Sequence, residues 1–193
     1  MNDPIALFEQ WFTDVSAHPA DSEPNAMVLA TATRDGVPSA RVVLLKAFDA
    51  RGFVFYTHLT SRKSLELKAN PQASLCFNWI HRGRQVRIDG PVEQVSDKEA
   101  DEYFATRPFG ARIGAVVSKQ SQPLDSHESL LKKVEELSAR YSETSPPPRP
   151  KDWSGWRVMP ERMEFWQEGK FRLHDRDLYT HTGKDWWVQK LYP

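Results

Sequence analysis

Residues 52–79 read GFVFYTHLTSRKSLELKANPQASLCFNW, and the succession of signals in this stretch decides the fold. Phe53 to Thr57 is β-branched and aromatic, which predicts a strand. Ser61 to Asn70 is Leu-, Glu- and Lys-rich and stops at Pro71, which predicts a short helix. Ala73 to Trp79 returns to strand composition. Working outward, Met27 to Thr33, Ser39 to Lys46 and Arg84 to Val95 are further strand-like runs. They are broken by Asp35-Gly36, Arg51-Gly52 and Arg82-Gly83. Short strands at this spacing predict antiparallel hairpins closing into a barrel or sandwich, interrupted by helices.

Three more helices are signalled. Asp3-Pro4 precedes apolar Leu7, Phe8, Trp11, Phe12 and Val15, an N-capped amphipathic pattern with proline in the first turn. Ser96 to Glu99 is a capping box opening a helix through Thr106. Ser126 to Tyr141 carries apolar residues at 130, 131, 134 and 137, the period of a surface helix. The Pro-rich segment 145–150 is a semi-rigid connector. Beyond it, Trp156 to Met159, Met163 to Gln167, Phe171 to Tyr179 and Trp186 to Leu191 complete the strands.

The chain has 193 residues, the size of one domain, with 26 basic and 26 acidic side chains. That balance gives no overall field for nucleic acid or an anionic membrane, so anion specificity must come from local clusters. No stretch has the roughly 20 apolar residues of a membrane span, and the opening MNDPIALFEQWF has no signal-peptide pattern. A cytoplasmic location is expected. Cys76, the single cysteine, sits in a strand-like run and reads as a small core residue. Nucleophile-elbow, P-loop, dinucleotide-binding and HExxH patterns are missing from the sequence.

Four clusters carry potential chemistry. Ser61-Arg62-Lys63 at a helix start would cradle a phosphate, or is an ordinary N-cap with solvated cations. Arg41 and Lys46 flank an apolar strand and, five residues apart, need a bend to meet one ligand. Arg172, His174 and Arg176 alternate and, on a strand, would share one face suited to an anionic or planar ligand. Tyr103 and Arg107 end the capped helix, where the helix dipole alone would explain the arginine. Gln85, Gln120 and Ser121, taken singly, are surface polar groups.

In this order the segments RVVLLK (41–46), GFVFYTHLTSRK (52–63), RQVRIDG (84–90), YFATRP (103–108), IGAVVSKQS (113–121), EFWQ (164–167) and RLHDR (172–176) resemble the pyridoxamine/pyridoxine 5′-phosphate oxidase family over nearly the whole chain. The resemblance implies one FMN-binding split β-barrel domain over 1–193, mainly antiparallel and of Greek-key type, with flanking helices. Strands from about 153–193 would complete the dimerisation and substrate region. It implies a homodimer with flavin mononucleotide (FMN) sites at the interface. The FMN contacts it implies are Arg41, Val42, Val43, Leu44, Leu45, Lys46, Tyr56, Thr57, Arg62, Lys63, Gln85, Gln120, Ser121, Trp166 and Arg176, with Arg62 and Lys63 on the phosphate. Substrate contacts would be Lys46, Tyr103, Arg107, Ala111, Arg172, Leu173 and His174, with Arg172 and His174 catalytic. The implied reaction yields pyridoxal 5′-phosphate, with O2 as acceptor and hydrogen peroxide released.

Three departures from the family pattern stand out. The basic, tyrosine-containing N-terminal extension that closes over substrate in many members is not evident before the first helix. Ala111 replaces the usual Ser, removing a hydroxyl contact to the substrate phosphate but leaving its backbone N–H. Lys190 stands in place of a terminal arginine. Rival readings are a phenazine-type flavin oxidase, a non-catalytic flavin or pyridoxal-phosphate carrier, and a haem- or deazaflavin-binding split barrel. The basic pair at 62 and 63 favours a phosphate-terminated flavin over the last of these.

Overall fold

Asp3 caps the first helix, its carboxylate accepting from the Ile5 N–H at 2.9 Å, and α1 (Pro4–Ser16) follows with Pro4 in its first turn. The computed structural model describes residues 3–17 and 23–193. The sequence expectation about what precedes the first helix lies outside them. α1 drives Phe8 into the core, where its ring meets Phe48, Phe53 and Phe77 edge-on at 5.0, 4.9 and 5.0 Å. Such edge-on geometry is the favourable one for aromatic quadrupoles.

The strands are β1 (Ala26–Ala32), β2 (Pro38–Leu44), β3 (Ala47–Asp49), β4 (Gly52–His58), β5 (Gln72–Trp79), β6 (Arg84–Gln94), β7 (Trp153–Val158), β8 (Arg162–Gln167), β9 (Asp175–His181) and β10 (Trp186–Lys190). The helices after the first are α2 (Arg62–Ala69), α3 (Asp97–Thr106), α4 (Phe109–Val117) and α5 (His127–Ser138). The sheet runs β10-β9-β8-β6-β5-β1-β2, and β7 joins β6 to β4 and β3. All pairings among the described residues are antiparallel.

The long strand β6 splits this sheet. One edge pairs with β5 along its length, while the other pairs with β8 through Asp89 and then with β7 from Val92. The change of partner falls at Gly90-Pro91. A side chain at Gly90 would meet the Met159 carbonyl oxygen at 1.9 Å, so glycine is required for that approach. The result is a mostly antiparallel sheet curled into a half-barrel, with helices on its flanks.

Most sequence-based elements form as expected, including the Ser96–Glu99 capping box. The differences have local causes. α4 was not foreseen: Gly110, Gly114 and the β-branched Ile113, Val116 and Val117 dilute its helical signal. β7 starts at Trp153, earlier than expected, because it is buried throughout and so lacks alternation. The run 171–179 is strand only from Asp175. Residues 170–172 instead form a tight turn, with Phe171 and Arg172 at φ 57° and 64°. Arg172 and His174 therefore precede the strand that carries Arg176.

Candidate active site

β2 ends at Leu44, Leu45 turns into the core at 5 % exposure, and the chain bends before β3. That bend brings Arg41 and Lys46 to the wall of one cavity of about 580 Å³, together with Val42, Val43 and Leu44 from β2 and Tyr56 and Thr57 from β4. Arg62 and Lys63 from the start of α2 and Gln120-Ser121 from the loop after α4 close it. Ser121 sits there at φ 70°, a backbone conformation uncommon for non-glycine residues. A second cavity, about 550 Å³, shares Leu44, Lys46, Tyr56, Thr57 and Gln120 with the first, and adds Tyr103, Arg107 and Ala111. The two are compartments of one cationic cleft. Leu45 is the exception in the 41–46 run: its side chain belongs to the hydrophobic core.

Lys63 is 8 % exposed, and its Nζ donates to Thr57 Oγ1 at 3.1 Å, Ser61 Oγ at 3.3 Å and Gln120 Oε1 at 2.9 Å. All three acceptors are neutral. Burial, reinforced by repulsion from Arg41, lowers its pKa to about 8. An ammonium held in this way without a carboxylate is arranged for an incoming anion. The neighbouring arginines are organised differently. Glu66, one turn beyond Arg62, accepts from Arg62 Nε at 2.9 Å, Ser39 Oγ at 2.6 Å and Thr31 Oγ1 at 2.5 Å, and lies 3.3 Å from Arg41 Nη2.

Burial alone would raise the Glu66 pKa, but the hydrogen bonds from Ser39, Thr31 and Arg62 outweigh it and hold the carboxyl at about 2. Because the folded value lies below the unfolded one, this stabilisation is present above the unfolded pKa of 4.5 and is lost as pH falls from there towards 2. Allowing for solvent screening, it is worth on the order of 2 kcal/mol. Glu66→Gln is expected to unfold more readily in urea than the parent at pH 7, with the difference closing as pH falls to about 2. A gap independent of pH would contradict this account.

In the second cavity Tyr56, Tyr103 and Trp153 stack, with centroids 4.0 Å apart for the tyrosine pair and 5.3 Å for Tyr56–Trp153. Gly155 permits this, since a Cβ there would lie 2.9 Å from the Tyr56 ring. Burial, aided by Glu99, pushes the Tyr56 hydroxyl up to about 12, so it is a neutral group at physiological pH. The Arg107 guanidinium lies 4.7 Å above the Trp153 ring, and its Nη1 is buried with no hydrogen-bond partner. Ala111 lines the same wall, but its backbone N–H donates to the Pro108 carbonyl at 2.9 Å. The N–H left by the missing serine is thus engaged inside α4, contrary to the sequence expectation.

The remaining candidates form a separate group. Gln85 on β6 pairs with Trp166 on β8, and Trp166 with Arg176 on β9. The His174 ring lies 4.5 Å from that of Trp166, and His174 Nδ1 accepts from the Gly169 N–H at 3.3 Å. Arg176 donates to the buried Glu164 at 2.8 Å and to the Tyr192 carbonyl at 2.8 Å. Arg172 and Leu173 are exposed. Neither cavity wall includes any of these six residues. In sheet order β1, β5 and β6 lie between β2 and β8, four strand spacings or roughly 19 Å along the sheet.

Sequence reasoning missed Glu66, although its position four residues after Arg62 marks a helical ion pair. It also missed His58, Trp153 and Ser118, which line the second cavity and were given no role. Among the described residues no group of His, Cys, Asp or Glu is placed to hold a metal, and no helix is long and apolar enough to cross a membrane. Cys76 is half-buried and burial raises its pKa, in keeping with a structural role.

A curled antiparallel sheet with helices on its flanks defines a split-barrel fold. An FMN-binding protein from Nostoc punctiforme shares the fold, with a TM-score of 0.74 at 16% identity over 88% of this chain and 89% of that one. Residues 19–167 match the family described as pyridoxamine 5′-phosphate oxidase, and residues 153–193 match the pyridoxine 5′-phosphate oxidase C-terminal dimerisation region. The chain belongs to the pyridoxamine 5′-phosphate oxidase family and is an oxidoreductase. A pyridoxine/pyridoxamine 5′-phosphate oxidase of Gluconobacter oxydans is 52% identical over 99% of this chain and 94% of its own length. PhzG from Burkholderia lata, solved with tetrahydrophenazine-1-carboxylic acid, superposes with a TM-score of 0.94 at 35% identity, covering 100% of this chain and 94% of that one.

Proposed function

We propose that this protein is an FMN-dependent oxidase that converts pyridoxine or pyridoxamine 5′-phosphate to pyridoxal 5′-phosphate, with O2 as acceptor and hydrogen peroxide as by-product. The observation that carries the reading is the double cationic cleft. One compartment has Arg41, Arg62 and Lys63 for the phosphate of the flavin, and the other has Lys46, Tyr103 and Arg107 for the phosphate of the substrate. The buried, carboxylate-free Lys63 and the unpartnered Arg107 Nη1 fit two separate anions.

FMN, when bound, supplies the two-electron acceptor and the centre that reacts with O2. The chain supplies placement. Thr57 and Lys63 fix the Gln120 amide by bonds to its Oε1, leaving the amide N–H2 for an acceptor in the first compartment. Lys46, Tyr103 and Arg107 grip a phosphate remote from the reacting carbon, so its binding energy orients the ring. His174, whose Nδ1 accepts from the Gly169 N–H, carries its proton on Nε2 when neutral and would present that donor to the substrate ring. Arg172 would cover the ring face with its guanidinium. Since Arg172 and His174 stand apart from the cleft within one chain, the reading requires a homodimer in which the partner brings them. The match to a dimerisation region supports this.

The deciding experiment mixes flavin-loaded protein anaerobically with pyridoxine 5′-phosphate and follows the oxidised flavin band and the aldehyde. Bleaching with stoichiometric pyridoxal 5′-phosphate is expected; an unchanged spectrum with both phosphates would overturn the proposal. The likeness to PhzG sustains a second reading, oxidation of a tricyclic carboxylate, for which bleaching by tetrahydrophenazine-1-carboxylic acid instead of the phosphates is the sign.

With the Ala111 N–H engaged within the helix, the cleft lacks the hydroxyl that a serine at this position would offer. Ala111→Ser is expected to lower KM for pyridoxine 5′-phosphate about five-fold, the worth of roughly 1 kcal/mol for one added hydrogen bond. An unchanged KM in steady-state assays would refute the assignment of that wall to the phosphate.

A further inference from the structure

His58 closes β4 and lines the second cavity with Lys46, Tyr103 and Arg107, yet nothing in the reading above uses it. It is 5 % exposed, and its Nδ1 is buried with no hydrogen-bond partner. The nearest acid, Asp152, is 3.9 Å away, beyond hydrogen-bonding distance, and half exposed. The charged groups that act on the imidazole are Asp152 from the connector before β7, Lys63 from α2 and Arg107 at the end of α3. Lys46, Tyr56 and Tyr103 share the wall. Burial lowers the pKa of His58; attraction to Asp152 opposes this, while repulsion from Lys63 and Arg107 adds to it. The ring is therefore neutral in the unliganded protein at neutral pH.

A cavity walled by Lys46, His58 and Arg107, with no carboxylate in its lining and with a side-chain nitrogen of both His58 and Arg107 buried without a hydrogen-bond partner, is short of negative charge. A dianion placed there would reverse the local balance and draw a proton onto the ring. We propose that His58 is an additional binding residue of the anion compartment, taking up a proton when a phosphate dianion enters and donating to it. Anion binding in this compartment is thereby coupled to pH, strongest where His58 is readily protonated and weaker as pH rises. The inference deepens the reading of this compartment as the substrate-phosphate site and rests on it.

The test uses sulfate, a dianion that does not titrate near neutrality, added to flavin-loaded protein so that the flavin compartment is filled. Calorimetry is run at pH 6 and pH 8 on the parent, His58→Asn and His58→Gln, and at pH 7 in two buffers of different ionisation enthalpy. The parent is expected to lose about ten-fold in sulfate affinity from pH 6 to pH 8 and to show proton uptake at pH 7; ten-fold corresponds to one coupled pKa unit. The variants are expected to lose less than two-fold and to show no uptake. Equal pH dependence in parent and variants overturns the proposal, as does a parent that takes up no proton, a result that holds even if neither variant folds. Turnover is not needed for this measurement. Failure of the anaerobic bleaching would remove the oxidase reading while leaving the sulfate result to judge His58 alone.

Discussion

Lys63→Met is expected to weaken FMN binding by about 100-fold, read as the dissociation constant from quenching of flavin fluorescence. The side chain is buried, and its three partners are neutral oxygens that leave its charge uncompensated. A charge-assisted hydrogen bond to a phosphate is worth up to about 3 kcal/mol, and every 1.4 kcal/mol is about ten-fold. Methionine keeps most of the volume, so the barrel should tolerate the exchange better than it would tolerate a cavity. A pH signature accompanies the loss. In the unliganded parent the Lys63 pKa lies near 8, so above that pH the site must acquire a proton to bind a phosphate. Parental affinity should therefore fall as pH rises from about 8 to 10. Lys63→Met should lack that limb, and an affinity within three-fold of the parent would show that the phosphate lies elsewhere.

The barrel was legible because its signals are local. Turn residues and β-branched runs punctuate the first half, and the capping box at Ser96–Glu99 announces α3. The Arg41–Lys46 problem, two cations with the wrong alternation for one face, was legible as a question, and the bend after Leu44 answers it. Other features depend on tertiary context. Arg172 was read on a strand because the residues alternate, but two consecutive left-handed residues, Phe171 and Arg172, stop the strand short of it. Phe and Arg, unlike Gly, Asn or Asp, carry no propensity that marks that conformation. Glu66 and His58 drew no role from the sequence because their roles arise from what surrounds them: a carboxylate tying Arg41 to Arg62, and a buried imidazole on the wall it shares with Arg107. Leu45 shows the complementary limit: a motif names the residue, but only the fold shows that its side chain is buried in the core, which leaves its backbone as the part able to face the cleft.

The largest qualitative effect is expected from mixing two impaired variants. Arg107 belongs to the cleft between β4, α3 and α4, while Arg172 belongs to the turn before β9, on the far side of the sheet order. If each working site takes Arg107 from one subunit and Arg172 from its partner, a two-fold dimer of one variant carries the same single defect in both sites. Arg107→Met and Arg172→Met should each lose about 100-fold in kcat/KM for pyridoxine 5′-phosphate, by removal of a charge-assisted contact. Co-refolding equal amounts redistributes subunits so that half of the dimers are mixed, and each mixed dimer has one doubly altered site and one intact site. About a quarter of the parental activity should then return, set by the counting of subunits under two-fold symmetry and not by any new interaction. Sites built within single chains would give no recovery, because no arrangement of the two variants would produce an unaltered one. Recovery that tracks the fraction of mixed dimers, measured by native mass spectrometry, would place the separate Gln85–Trp166–His174 cluster opposite the cationic cleft of the neighbouring subunit.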